Sequence, residues 1–156
     1  MADRSACISA TDANTVFRLG QYEYSYIYRG APESFNYARA KYGVFANELK
    51  SRLKQRISGS GGVRYTHNIA HDESVSLLLG LLQVAEMVWP GMGSEVVVEL
   101  YSMLGQRWYV RVLWGGQVME SSALGKIDML EAEVFLQYLT DAAGEGAGFV
   151  LEKCVK

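Results

Sequence analysis

The chain has 156 residues, of which 49% are hydrophobic and 21% charged, and a formal net charge of −2. That size and composition suit a single globular domain over residues 1–156, burying roughly 68–70% of its extended surface. The weakly acidic balance, without any basic run interleaved with aromatics, excludes nucleic acid as an expected partner. A membrane partner is not expected either. The longest apolar run, Val75–Trp89, is too short for a span and carries Glu86, and the first residues lack the apolar core of a signal peptide.

Thr11 and Asp12 are good caps for a first helix over 12–28, whose apolar side includes Val16, Gly20, Tyr24 and Ile27. Its tyrosines, at 22, 24, 26 and 28, can bury their rings and keep their hydroxyls wet. "RGAPES" ends it. A longer helix follows over 35–57, with Ala38, Tyr42, Phe45, Leu49, Leu53 and Ile57 recurring every three or four residues on one face. Its basic end (Lys50, Arg52, Lys54, Arg56) reads as a solvated face that complements the helix dipole. Ser58–Gly62 is a flexible turn. It follows a helix and has no Gly-Lys-Ser/Thr ending, so it is no phosphate loop, and Gly125–Lys126 fails the same pattern because Ile127 follows.

Val63–Ile69 reads as a strand and 73–86 as a helix apolar almost all round. After the "WPGMG" turn, "SEVVVELYSM" and "RWYVRVLWGG" read as an antiparallel hairpin joined by Leu104–Gln106, with Trp108, Val110, Val112 and Trp114 on one face. A last helix over 129–142 should bury Leu130, Val134, Tyr138 and Leu139. The expected fold class is α/β, in the order α-α-β-α-β-β-α.

The chemistry concentrates where strand 63–69 gives way to a helix, at His71–Asp72. The carboxyl end of a parallel strand is where open α/β sheets place ligands, and the free N–H groups of a helix start suit an anion. Alternation along the strand puts His67, Ile69 and His71 on one side, while Asp72 and Glu73 begin the helix. A phosphate there would meet His71 as a donor, and Asp72 could hand a proton to a leaving group; equally, Asp72 could simply cap the helix and His71 be an ordinary turn residue. A metal reading of His67-x-x-x-His71-Asp72 is disfavoured, because a structural zinc needs four ligands and both cysteines lie at the chain ends. No Gly-x-Ser-x-Gly elbow supports a serine triad. For Cys7 and Cys154, a bridge worth roughly 4–5 kcal/mol by chain entropy and two unpaired thiols both remain open on spacing alone.

Five stretches in order, "ANTVFRLGQYEYSYIYRGAP", "YGVFANEL", "RYTHNIAHDES", "MVWPGMGSEVVVELY" and "YVRVLWGGQV", make the chain resemble the C-terminal part of the histidine acid phosphatases, the fungal-type members most. The resemblance covers roughly residues 7–154. It implies a partial histidine-phosphatase-like fold lacking the N-terminal strands of the parallel sheet. By the same match His71 would contact phosphate; His67, on the same side of the strand, and Glu73, at the helix start, are expected beside the substrate from their positions alone. Asp72 would be the proton donor and, later, the base that activates water. The family's nucleophilic histidine lies in Arg-His-Gly-x-Arg-x-Pro. This chain has two histidines, His67 after Thr66 and His71 after Ala70, neither followed by glycine, so the motif is missing.

The resemblance therefore implies a phosphomonoester hydrolase segment that is inactive alone, binding phosphomonoester or inorganic phosphate and needing no cofactor or metal. Strand 63–69 should lack a neighbour, leaving an exposed sheet edge that invites a homodimer or the missing N-terminal half. The resemblance further implies a secreted, vacuolar or lysosomal setting and a Cys7–Cys154 disulfide. The competing expectations are a non-catalytic phosphate- or protein-binding module and, less well supported, a metal-dependent His-Asp phosphohydrolase, which would need more His and Asp ligands than are present.

Overall fold

A computed structural model describes residues 7–103 and 107–154. The first helix, α1 (Ala10–Ser25), starts two residues earlier than expected, because Ser9 rather than Thr11 caps it. The Ser9 hydroxyl accepts from the Asp12 N–H at 3.1 Å. α1 runs on into a wide π-helical turn, Tyr26–Gly30. Pro32 then holds Ala31 extended (φ −67°, ψ 144°), which stops the helix.

Helix α2 (Ser34–Ile57) is the longest element and packs against α3 (Asp72–Leu81), α4 (Ala132–Ala143) and α5 (Gly148–Cys154). Its buried stripe runs from Ala38 to Leu53, both on the expected face, but between them Gly43, Ala46 and Lys50 are buried in place of Tyr42, Phe45 and Leu49; Tyr42, Leu49 and Ile57 flank the stripe half-buried. Small residues at the centre of the stripe let neighbouring helices approach closely. The same logic acts at Gly80 in α3, where a Cβ would stand 2.5 Å from the Tyr28 carbonyl oxygen.

The apolar run 73–86 is helical only to Leu81. Gln83 then takes a left-handed conformation (φ 53°), and Val84 bridges antiparallel to Ser121. Side chains end the helix from outside: Tyr138 donates to the Leu81 carbonyl at 2.7 Å and Ser121 to the Leu82 carbonyl at 2.7 Å. These bonds satisfy carbonyls that the helix terminus leaves open.

The expected hairpin is present. β1 (Val96–Met103) and β2 (Arg107–Trp114) pair antiparallel from Val96↔Trp114 to Met103↔Arg107; their Leu104–Gln106 connection lies outside the described residues. β3 (Gln117–Val118) and β6 (Leu130–Glu131) add to β2, and β4 (Glu120–Ser121) pairs with β5 (Gly125–Lys126). Val110 and Val112 face the core, where Leu79, Leu81, Leu82, Ile127, Phe135 and Leu139 are fully buried. Helix α4 begins at Ala132, since Leu130 belongs to β6, and it buries Phe135 while the expected core residue Val134 is exposed.

The architecture is mixed α/β with a small antiparallel sheet. Three expectations are corrected. Residues 63–69 form no strand, and no parallel pairing occurs among the described residues. Val63, Tyr65 and Ile69 are 69%, 79% and 89% exposed. Alternation alone does not make a strand; the backbone needs a ladder, and none reaches this segment. The open sheet edge belongs instead to β1, which among the described residues pairs only with β2. Third, Cys7 and Cys154 are exposed free thiols, not a disulfide.

Candidate functional site

The helix start at α3 builds the site. His71 is its N-cap residue, with extended backbone (φ −104°, ψ 170°), and its carbonyl accepts from the Val75 N–H at 3.1 Å. Its imidazole makes no capping bond and is exposed. Asp72 is the first helical residue. Its Oδ1 accepts from the Glu73 N–H at 2.9 Å. Its Oδ2 accepts from two side chains at once, the Tyr24 hydroxyl at 2.7 Å and the Trp89 indole Nε1–H at 2.9 Å.

Tyr24 comes from α1, and Trp89 from the segment between α3 and β1. They meet because α1 offers a slot. Phe17, Gly20 and Tyr24 lie on one helical stripe, and all three contact Trp89: the Phe17 ring centroid is 6.1 Å away, and the Tyr24 ring stacks on the indole at 5.4 Å and 22°. At Gly20 a Cβ would lie 2.6 Å from the indole Cε3, so the ring passes only because glycine is there. Tyr28 packs on the far side of Tyr24, its ring tilted by 45° at 5.1 Å.

The electrostatics follow from these bonds. The Trp89 indole and then the Tyr24 hydroxyl hold the Asp72 carboxyl below its ordinary range, since both bond the ionised form. Tyr24 is pushed up to about 12, first by burial and next by its bond to Asp72. Tyr28 is also pushed up to about 12, by burial and then by the charge of Glu73. The charged groups acting on these tyrosines are Asp72, Glu73 and Glu23, all anionic. Glu73 is exposed and accepts a long 3.4 Å bond from Tyr37.

Of the four residues singled out in the sequence, His71, Asp72 and Glu73 are consecutive at one helix start. His67 stands apart in the exposed segment, its ring 6.2 Å from that of Tyr65. Among the described residues no three His, Cys, Asp or Glu side chains come together as a metal site would require, and no helix is long and apolar enough to cross a membrane. The surface depressions lined by Thr11, Asn14, Phe17, Arg18 and Gln21 and by Val134, Gln137, Tyr138 and Asp141 include neither His71 nor Asp72; His71 is exposed and Asp72 half-buried.

Sequence reasoning missed Tyr24 and Trp89 as partners of Asp72. The available signal was Gly20–Tyr24–Tyr28 at four-residue spacing, a glycine slot between aromatics that anticipates a large ring from another element.

As it stands the arrangement is a stabilised carboxylate with a solvent-facing imidazole beside it. It can accept hydrogen bonds strongly; it donates a proton only after the carboxyl is protonated against its two donors. Comparison of the chain with models of known protein families, with curated proteins and with solved structures gave no match in any of the three.

Proposed function

We propose that this chain carries the proton-donor side of a phosphomonoester-hydrolysing site of histidine acid phosphatase type, on a partial fold of that kind, and that it is catalytically incomplete alone. The observation that carries the reading is the His71–Asp72 pair at the start of α3, an exposed imidazole next to a carboxyl whose Oδ1 accepts from the helix-terminal Glu73 N–H. In the proposed reaction a histidine supplied from elsewhere attacks phosphorus. The bond to the leaving oxygen breaks as Asp72 delivers its proton there. Asp72 then takes a proton from the water that cleaves the phosphohistidine, returning the histidine and releasing phosphate. A phosphate dianion close to Asp72 raises its pKa and so favours the protonated form that the first step needs.

Incompleteness has an electrostatic basis beyond the missing nucleophile. Asp72, Glu73 and Glu23 oppose an incoming anion, so cations must arrive with the nucleophilic half. The purified chain should therefore not turn over an aryl phosphate at acidic pH. A segment bearing Arg-His-Gly-x-Arg-x-Pro, supplied in trans, should confer vanadate-sensitive hydrolysis that Asp72→Asn removes. Turnover by the chain alone, or full activity of the Asp72→Asn complex, would overturn the reading. The setting proposed with this function is secretory, vacuolar or lysosomal.

A second reading, a non-catalytic protein-binding module, is favoured by a different observation. α1 exposes Val16, Phe17, Leu19 and Tyr22, and β1 leaves one edge unpaired. Surfaces of this kind serve association, whether with a second copy or with an N-terminal half. Sedimentation of the chain over a range of concentrations tests it; a strict monomer at all of them excludes self-association.

A further inference from the structure

We infer that Asp72 is the latch that seats helix α1, so that engaging or protonating this carboxylate frees α1 and uncovers the Trp89 face beneath it.

Among the described residues, little else holds α1. The helix has sixteen residues, none of them buried. Its stripe of Phe17, Gly20 and Tyr24 rests on Trp89, with Tyr24 also against Tyr28 of the following turn. Trp89 and Tyr24 are in turn tied to a common atom, Asp72 Oδ2. Burial of the neighbouring element begins only at Tyr28 in the following turn, where Arg29 also reaches the Val84 carbonyl and Ser122. The α1 body is thus a lever, fixed at its C-terminal end, where Tyr24 bonds Asp72, and resting part-way along, at Phe17 and Gly20, on the Trp89 ring that bonds the same oxygen in a two-donor clamp.

The clamp exists only while Oδ2 offers two lone pairs. A proton on that oxygen, or a strong donor such as a guanidinium or a phosphate hydroxyl, displaces the indole or the phenol. The titratable groups around the clamp are Glu23 and Tyr24 on α1, Tyr28 in the turn, Tyr37 on α2 through Glu73, and His71 and Glu73 at the start of α3. If Asp72 also serves as proton donor, as the proposed function requires, its active form is the form that releases α1. That coupling rests on the proposed function; the latch itself does not.

Amide hydrogen exchange along Ala10–Ser25 tests the latch in the whole ligand-free chain. Asp72→Ala should speed exchange there roughly ten- to hundredfold, the loss expected for hydrogen bonds to a charged acceptor, with α4 unchanged. Tyr24→Phe keeps the ring stack, removes one donor, and should give the same pattern more weakly; it decides the matter if Asp72→Ala does not fold. A spectroscopic signature accompanies them. The Trp89 indole N–H resonance, assigned by its loss in Trp89→Phe, should titrate with Asp72 below the usual carboxylate range, and Asp72→Asn should abolish that titration. Unchanged α1 exchange in both variants overturns the latch. The complex with an Arg-His-Gly-x-Arg-x-Pro segment separates the two ideas: if Asp72→Asn leaves its hydrolysis of aryl phosphate at full rate while Asp72→Ala still frees α1 in the chain alone, the phosphatase reading falls and the latch stands.

Discussion

Gly20→Ala puts the clamp geometry to a test in which competing effects have opposite signs. Glycine inside a helix is normally about 1 kcal/mol worse than alanine, so the substitution alone should stabilise α1 by that amount. Here the added Cβ would stand 2.6 Å from Trp89 Cε3 and 2.7 Å from Cζ3, well inside contact distance. The indole must move by about an ångström, enough to lengthen a 2.9 Å hydrogen bond past usefulness. Losing a hydrogen bond to a charged acceptor costs about 1.5–3 kcal/mol, with the lower half apt for a half-buried site. The stacking on Tyr24 loses roughly another 0.5–1 kcal/mol. The balance is a net destabilisation of about 1–2 kcal/mol. For a chain of this length that lowers Tm by about 2–8 °C. Urea unfolding supplies the free energy, and the Trp89 indole resonance reports whether the ring has left Asp72. A variant stabilised by about 1 kcal/mol with an unmoved indole resonance would refute the reasoning, because it would show that α1 shifts freely over Trp89.

Lys50 is 4% exposed and among the described residues its ammonium lacks a hydrogen-bond partner, standing 3.8 Å from Glu145, whose side chain is 84% exposed; Lys50→Met should raise stability by about 1–3 kcal/mol in urea unfolding. Phe135→Ala empties the centre of the core and should cost about 3–5 kcal/mol by the same assay. Asp72 and Glu99 both have folded pKa values below their ordinary 3.8 and 4.5. The stability each contributes is full above those values and is lost as pH falls through the lower folded ones. Acid unfolding followed by circular dichroism should steepen below about pH 4, less so in Asp72→Asn. Cys7 and Cys154 should both react with iodoacetamide in the native protein, giving two adducts by mass spectrometry, and a thiol reductant should leave Tm unchanged.

The sequence by itself determined the elements whose pattern is local. α2 is legible from its apolar spacing, and the β1–β2 hairpin from strict alternation in "RWYVRVLW", because side-chain periodicity and backbone conformation there point to the same structure. It also placed His71, Asp72 and Glu73 together, since consecutive residues at a helix start cannot be far apart. What it could not determine was anything that depends on a partner distant in the chain. "VRYTHNI" has strand composition, yet no ladder meets it; Val84 lies in an apolar run that reads as helix, yet it bridges to Ser121. The clamp is the clearest instance. Tyr24 and Trp89 lie 48 and 17 residues from Asp72, and only the packing of α1 across the segment before β1 brings their two donors to one oxygen. Local periodicity encodes which face of an element is apolar; which side chains from other elements converge on a given atom is decided when those faces pack, and that packing holds the Asp72 carboxyl below its ordinary range.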